Sequence, residues 1–163
     1  MMPITEDDLQ RLRLFALRTL EGRPPAHDGQ HVERVAALAR TIAEAERARV
    51  DVVVAAALLH ELVNLPKNHP DSHRSGDLCA EQASRVLAEH GVDADSASGV
   101  VTCIRDHSFS KGARPESLEA AILQDADRLD AIGAIGIARC FATCSDMQRP
   151  FYSSADPFCR TRT

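Results

Sequence analysis

The stretch VVVAAALLHELV, residues 52–63, is apolar on nearly every side of the helix that its composition and length predict. Such a helix has no face suited to water, so it belongs at the centre of other packed elements. Asp51 stands where a cap would, and the helix is expected to run over residues 52–63. The run then breaks its own pattern, because His60 and Glu61 follow Ala55-Ala56-Ala57-Leu58-Leu59 directly. Burying an ionised carboxylate costs several kcal/mol unless something positive meets it. Either Glu61 turns to solvent, or a cation waits for it.

The rest of the chain supplies the surrounding helices. Thr5 is a cap for the first, with Asp8 three residues on and Ile4 placed to staple onto Leu9. Its inward stripe reads Leu9, Leu12, Ala16 and Leu20, and Gly22-Arg23-Pro24-Pro25 breaks it. Asp28 caps a second helix with the stripe His31, Val35, Leu38 and Ile42. Further helices are expected over about residues 76–90, with Gly91 as the stop, over 96–107, and over 116–132. The last of these continues to about 144 past Gly133 and Gly136. Val100-Val101-Thr102-Cys103-Ile104 is the one segment that could equally be a strand. Residues 146–163 are polar and without clear period. The prediction is an all-α fold, one compact multi-helix bundle spanning 1–163.

Composition narrows the function. The chain has 163 residues, 44% hydrophobic and 26% charged, and no apolar run reaches the roughly 18 residues of a membrane span. The acidic start MMPITEDD lacks the basic-then-apolar order of a signal peptide, so a cytoplasmic location without a membrane partner is expected. A formal charge of −5 argues against a nucleic-acid partner held by bulk positive field. Five cysteines without a CxxC signal neither a disulfide framework nor a zinc knuckle. Cys140 and Cys144, at i and i+4, are expected to be reduced core thiols. The sequence does not decide the oligomeric state.

Polar groups interrupt apolar faces in three places. His31 lies on the inward stripe of its helix. His60 and Glu61 end the central one. The third is LQDADRLDAIGA, residues 123–134, which sets Asp125, Asp127 and Asp130 among Ile122, Leu123, Leu129 and Ile132. Asp127 and Asp130, at i and i+3, are neighbours on one face, mildly unfavourable unless one turns away or a cation intervenes. Taken singly, each is more simply a satisfied core or surface group. Together they offer two imidazoles and two carboxylates, a set suited to one divalent metal ion.

The segments HDGQHVERV (residues 27–35), AALLHELVNLPKNHP (56–70) and ILQDADRLDAIGAIGIAR (122–139) resemble the successive motifs of the HD-domain metal-dependent phosphohydrolase superfamily. The likeness runs over about residues 27–158, with the core motifs within 27–139. It implies an all-α HD-like bundle and a metal held at His31, His60, Glu61 and Asp127, with His-Glu where the superfamily has its His-Asp doublet. It also implies hydrolysis of a phosphomonoester, diester or nucleotide anhydride by metal-activated water. Manganese, iron, magnesium, nickel and zinc all suit these ligands.

His27, His73 and His107 are then candidates for proton transfer. Lys67, one of two lysines, lies just after the doublet beside Asn68 and is the expected phosphate contact. Arg34 and Arg128 are further phosphate candidates, Arg128 being equally suited to pair with a neighbouring aspartate, and Arg139 is a weaker one. The expected partner is a small phosphorylated substrate, a nucleotide. The alternative is a catalytically weak or inactive protein of the same fold that binds metal or nucleotide without efficient turnover.

Overall fold

The computed structural model describes residues 2–66, 69–107, 112–152, 154–158 and 160. Among these it has seven α-helices and no strand: α1 (Glu6–Thr19), α2 (Gly29–Glu46), α3 (Val50–Leu59), α4 (Ser75–Glu89), α5 (Ala94–Asp106), α6 (Leu118–Asp130) and α7 (Gly133–Asp146). A single 3-10 turn, Ser72–Arg74, leads into α4. The all-α expectation holds, and the ambiguous Val100–Ile104 segment is helical within α5.

Local sequence explains most of the starts and stops. Thr5 accepts from the Asp8 amide while the Asp8 carboxylate accepts from the Thr5 amide, a reciprocal capping box. Asp28, Asp93 and Ser117 cap α2, α5 and α6, each through its side-chain oxygen accepting a first-turn amide. Asp51 does not cap α3. It lies inside the first turn, where its carboxylate takes the Ile4 amide at 3.0 Å and Arg49 Nη2 at 3.1 Å, tying the N-terminal strap to the core. The helix predicted over 116–132 is likewise shorter and breaks before Gly133, whose φ of +68° lies in the left-handed region.

Helix α3 is central, as its composition requires. Val52 through Leu59 are all buried, and α3 packs against α1, α2, α5 and α6. Each buried valine or leucine there contributes about 1.5–3 kcal/mol through apolar burial, which anchors the helix in one position. The α2–α3, α2–α6 and α4–α5 pairs are the most extensive. Helices α2, α3 and α6 therefore share one interior, and all three bring polar side chains to it.

The cysteine expectation is corrected. Helix α7 leans on α6, so Cys140 is exposed and Cys144 only half-buried rather than core. Among the described residues Cys79 and Cys103 are the buried thiols, and burial pushes each up to about 12. A thiol raised in the folded state favours folding below its ordinary value near 9, and loses that contribution as pH rises towards 12. Below pH 9, a thiol-specific reagent should label Cys140 at once and leave Cys79 and Cys103 untouched until denaturant is added. Mass spectrometry of the labelled native protein checks this; early labelling of Cys79 would place it outside the core.

Candidate metal centre

The exit from α3 is what turns two polar side chains inward. Carbonyls at a helix C-terminus lack partners within the helix. Here Cys79 Sγ–H donates to Leu59 O at 3.2 Å and His60 O at 3.1 Å. Arg23 donates from Nη1 to Glu61 O at 3.0 Å and from Nη2 to Leu62 O at 2.9 Å. With the turn held on both sides, His60 and Glu61 are 1% and 5% exposed. Glu61 does not face water.

The two buried histidines present the same atom to one another. His31 Nδ1–H donates to Asp130 Oδ2 at 2.8 Å, and His60 Nδ1–H donates to Ala57 O at 2.6 Å. A neutral imidazole that donates through Nδ1 carries its lone pair at Nε2. The two Nε2 atoms stand 3.2 Å apart. Asp127 Oδ1 is 3.5 Å from His31 Nε2, while Glu61 Oε1 is 3.6 Å from His31 Nε2 and 4.0 Å from His60 Nε2. With both Nδ1–H groups engaged, these four acceptors have no donor among themselves. Apart from Arg139 Nη2, which reaches His31 Nε2 at 3.4 Å, a cation between them would satisfy them.

Protonation states agree with that reading. Burial pushes the His60 imidazole down to about 4, against the opposing pull of Glu61, so it is neutral near pH 7. Burial alone would raise the Glu61 carboxyl. The hydrogen bond from His27 Nδ1–H at 2.8 Å, with the imidazoles of His31 and His60 alongside, outweighs burial and holds it well below the usual carboxylate range. Neutral imidazole and ionised carboxylate are the forms that coordinate a metal. Two groups of three could each hold a metal ion, His27–His31–Glu61 and His31–His60–Asp127. They share His31 and between them contain the four residues expected from the sequence, with His27 in addition.

A surrounding layer escaped the sequence reading. Asp130 is buried and receives His31, Arg34 through Nε at 2.6 Å and Nη2 at 3.0 Å, and Arg139 Nη1 at 3.0 Å. Burial raises its carboxyl, but the bonds from Arg34 and His31 prevail and lower it. Asp130 therefore sets the His31 tautomer that aims Nε2 inward. Its i+3 spacing from Asp127 was the available signal. Asn64 Nδ2 donates to Glu61 Oε2 at 2.7 Å, which leaves Oε1 towards the histidines.

Arg139 is more central than its sequence position implied. Gly133 starts α7, and at Gly136 an added Cβ would collide with the Ala131 carbonyl, so α7 folds back tightly on the end of α6. Arg139 then donates from Nε to Ala26 O at 2.9 Å and reaches His31 Nε2 with Nη2 at 3.4 Å. It touches the same lone pair that an ion would take. Arg139→Met should therefore cost the metal-free protein about 2 kcal/mol, or roughly 4–8 °C in Tm. It should cost the manganese-loaded protein clearly less. Equal losses in thermal melts with and without manganese would show that Arg139 only packs α7.

The other candidates are unequally placed. His27 contacts Glu61, and the His107 ring lies 5.2 Å from that of His60, so both border the cluster. His107 Nδ1–H donates to Ile104 O at 2.6 Å. His73 is exposed on the 3-10 turn. Arg34 is engaged with Asp130, and Arg128 Nη1 lies 3.6 Å from Asp125 Oδ1. Lys67 and Asn68 lie outside the described residues.

Comparison with known proteins identifies the family and the fold. The HD domain family model matches residues 28–132, which include all four candidate ligands. The chain belongs to the HD domain family. YpgQ of Bacillus subtilis, an uncharacterized protein, is 38% identical over 136 residues, covering 81% of this chain and 64% of YpgQ. This HD chain therefore spans less than two thirds of that relative's length. A crystal structure of YpgQ in complex with ADP superposes with a TM-score of 0.69 at 34% identity, over 91% of this chain and 71% of that one. A crystal structure from Lactobacillus plantarum gives a TM-score of 0.79 at 35% identity, over 93% and 69%. An HD-superfamily hydrolase from Bacillus thuringiensis gives 0.68 at 29%, over 92% and 71%. The fold is that of HD-superfamily hydrolases, and no helix among the described residues is long and apolar enough to cross a membrane.

Proposed function

We propose that the chain is a metal-dependent phosphohydrolase acting on a small nucleotide or a related phosphate ester or anhydride, with one divalent ion at His31, His60, Glu61 and Asp127. The observation that carries this is the facing pair of Nε2 atoms, each made a lone-pair donor by a fixed Nδ1 hydrogen bond, with two carboxylates beside them. The ADP complex of YpgQ supports a nucleotide as ligand. When bound, a divalent ion supplies acidity to water near neutral pH and positive charge to oppose phosphate oxygens.

The chain's own residues do the rest. Asp130 and the Ala57 carbonyl hold the two imidazoles in the coordinating tautomer. His27, bonded to Glu61 through Nδ1 and part-exposed, keeps Nε2 for moving a proton between the site and solvent. His107 and His73 are the further proton-transfer candidates. Arg34, Arg128, Lys67 and Asn68 are the candidates for holding phosphate.

One observation favours the second reading, binding without efficient turnover: Glu61 Oε1 is shared with His27 and lies farther from the histidine nitrogens than they lie from each other. Elemental analysis of the purified protein, paired with phosphate release from a nucleotide panel with manganese, separates the two. Metal without phosphate release selects the binder, and absence of metal removes the hydrolase and leaves at most a nucleotide binder. In the hydrolase, Lys67→Ala should raise KM several-fold at unchanged metal content, because a phosphate contact contributes to binding rather than to activating water. Unchanged kinetics would make Lys67 an ordinary surface lysine.

A further inference from the structure

Beside the metal centre lies a cavity of about 290 Å³, walled by the α1–α2 loop, the exit of α3 and the end of α7. Two of its lining residues, His27 and Asn64, are the same two that hydrogen-bond the Glu61 carboxylate. Cavity and centre are therefore neighbours with His27 and Asn64 as their common wall, and a molecule reaching past these two with its reactive end at the ligands would place its other end here.

The chemistry of the walls says what that other end is. Pro24, Leu65, Pro66 and Met147 line it with flat or polarisable apolar surface. Its one guanidinium among the described lining residues, Arg23, is already committed through both terminal nitrogens to the carbonyls of Glu61 and Leu62. The remaining edge is made by Thr143 and the Asp146 carboxylate. Among the described lining residues a phosphate would meet no uncommitted guanidinium and one like charge. A planar heteroaromatic ring would meet apolar faces, a thioether sulfur suited to an aromatic partner, and acceptors for its N–H groups. The volume is at the small end of ligand sites, enough for a ring and not for a large lipid or peptide.

Resting on the phosphohydrolase reading above, we infer that this cavity takes the base of a nucleoside phosphate, with an amino-bearing edge turned to Asp146 and Thr143 and the phosphates directed past His27 to the four ligands. The polarity is fixed: base at the α7 end, phosphate at the histidines.

The test compares two ligands that share the phosphates and differ in the base. Calorimetric Kd values for ADP and for inorganic pyrophosphate, both with manganese, are measured on the parent protein, on Thr143→Phe, whose ring fills the cavity, and on Met147→Ala, which removes the thioether without crowding. The parent is expected to bind ADP at least tenfold more tightly than pyrophosphate. Thr143→Phe should weaken ADP tenfold or more and Met147→Ala about threefold, while pyrophosphate stays within twofold in both. Equal affinity of the parent for the two ligands, or equal shifts for both in the variants, overturns the assignment. Phosphate release from the same samples is read separately, so discrimination by the base without turnover would sink the hydrolase reading and leave the cavity's occupant standing.

Discussion

In the His31→Ala protein, bound manganese should fall from one ion per chain to near zero. His31 Nε2 is common to both groups of candidate ligands, so its removal takes a donor from each. The fold should suffer too, because His31 is fully buried and its loss leaves a cavity beside Asp130, at a cost of about 2–5 kcal/mol by analogy with other large-to-alanine core changes. Asp127→Ala separates the two effects. Its side chain is 24% exposed, so metal-free stability should change by about 0.5 kcal/mol or less while the ion is lost or bound at least tenfold more weakly. Elemental analysis and metal-free melts of both variants check this. Parent-level manganese in both would remove the metal centre from the account.

Glu61 should show the second large effect. Truncation to alanine deletes the acceptor of both His27 and Asn64 and subtracts a negative charge from the site, so Glu61→Ala should lose metal and turnover together. Glu61→Asp should keep the ion and raise kcat. One carbon fewer withdraws the carboxylate by about 1.5 Å, so it cannot keep both present partners and is freed from the His27–Asn64 bracket to meet the ion from the backbone side. Catalysis is sensitive to displacements near 1 Å at roughly a hundredfold, so a tenfold gain is an expectation of the right order. Steady-state kinetics at saturating manganese checks it. A flat kcat in Glu61→Asp, with metal retained in Glu61→Ala, would mean that Glu61 serves only to anchor His27 and Asn64.

Much of this protein is determined by short-range pattern. The all-apolar run before His60 demanded a central helix, and α3 lies against four others. The caps at Thr5, Asp28, Asp93 and Ser117 act within three residues, which is why those helix starts are local facts of the chain. His31 was legible because a histidine on an apolar stripe must enter the core, and His60, Glu61 and Asp127 because each breaks or borders an apolar face. The sequence could name these four as candidate ligands, but only together, through likeness to a family.

The tertiary structure alone decided what those residues face. Asp130 meets His31 across 99 positions and Arg139 reaches the same histidine across 108, distances at which no periodicity carries information. Arg139 looked peripheral because its place depends on a backbone reversal at Gly133 and Gly136. Cys140 and Cys144 looked like core thiols because an i, i+4 pair marks a face without saying whether anything covers it. Asp51 looked like a cap, and the competing claim of the Ile4 amide, 47 residues away, drew it elsewhere. Sequence determines which side chains are paid for in burial or capping one helix at a time; which acceptors end up 3–4 Å apart depends on three helices packing at once.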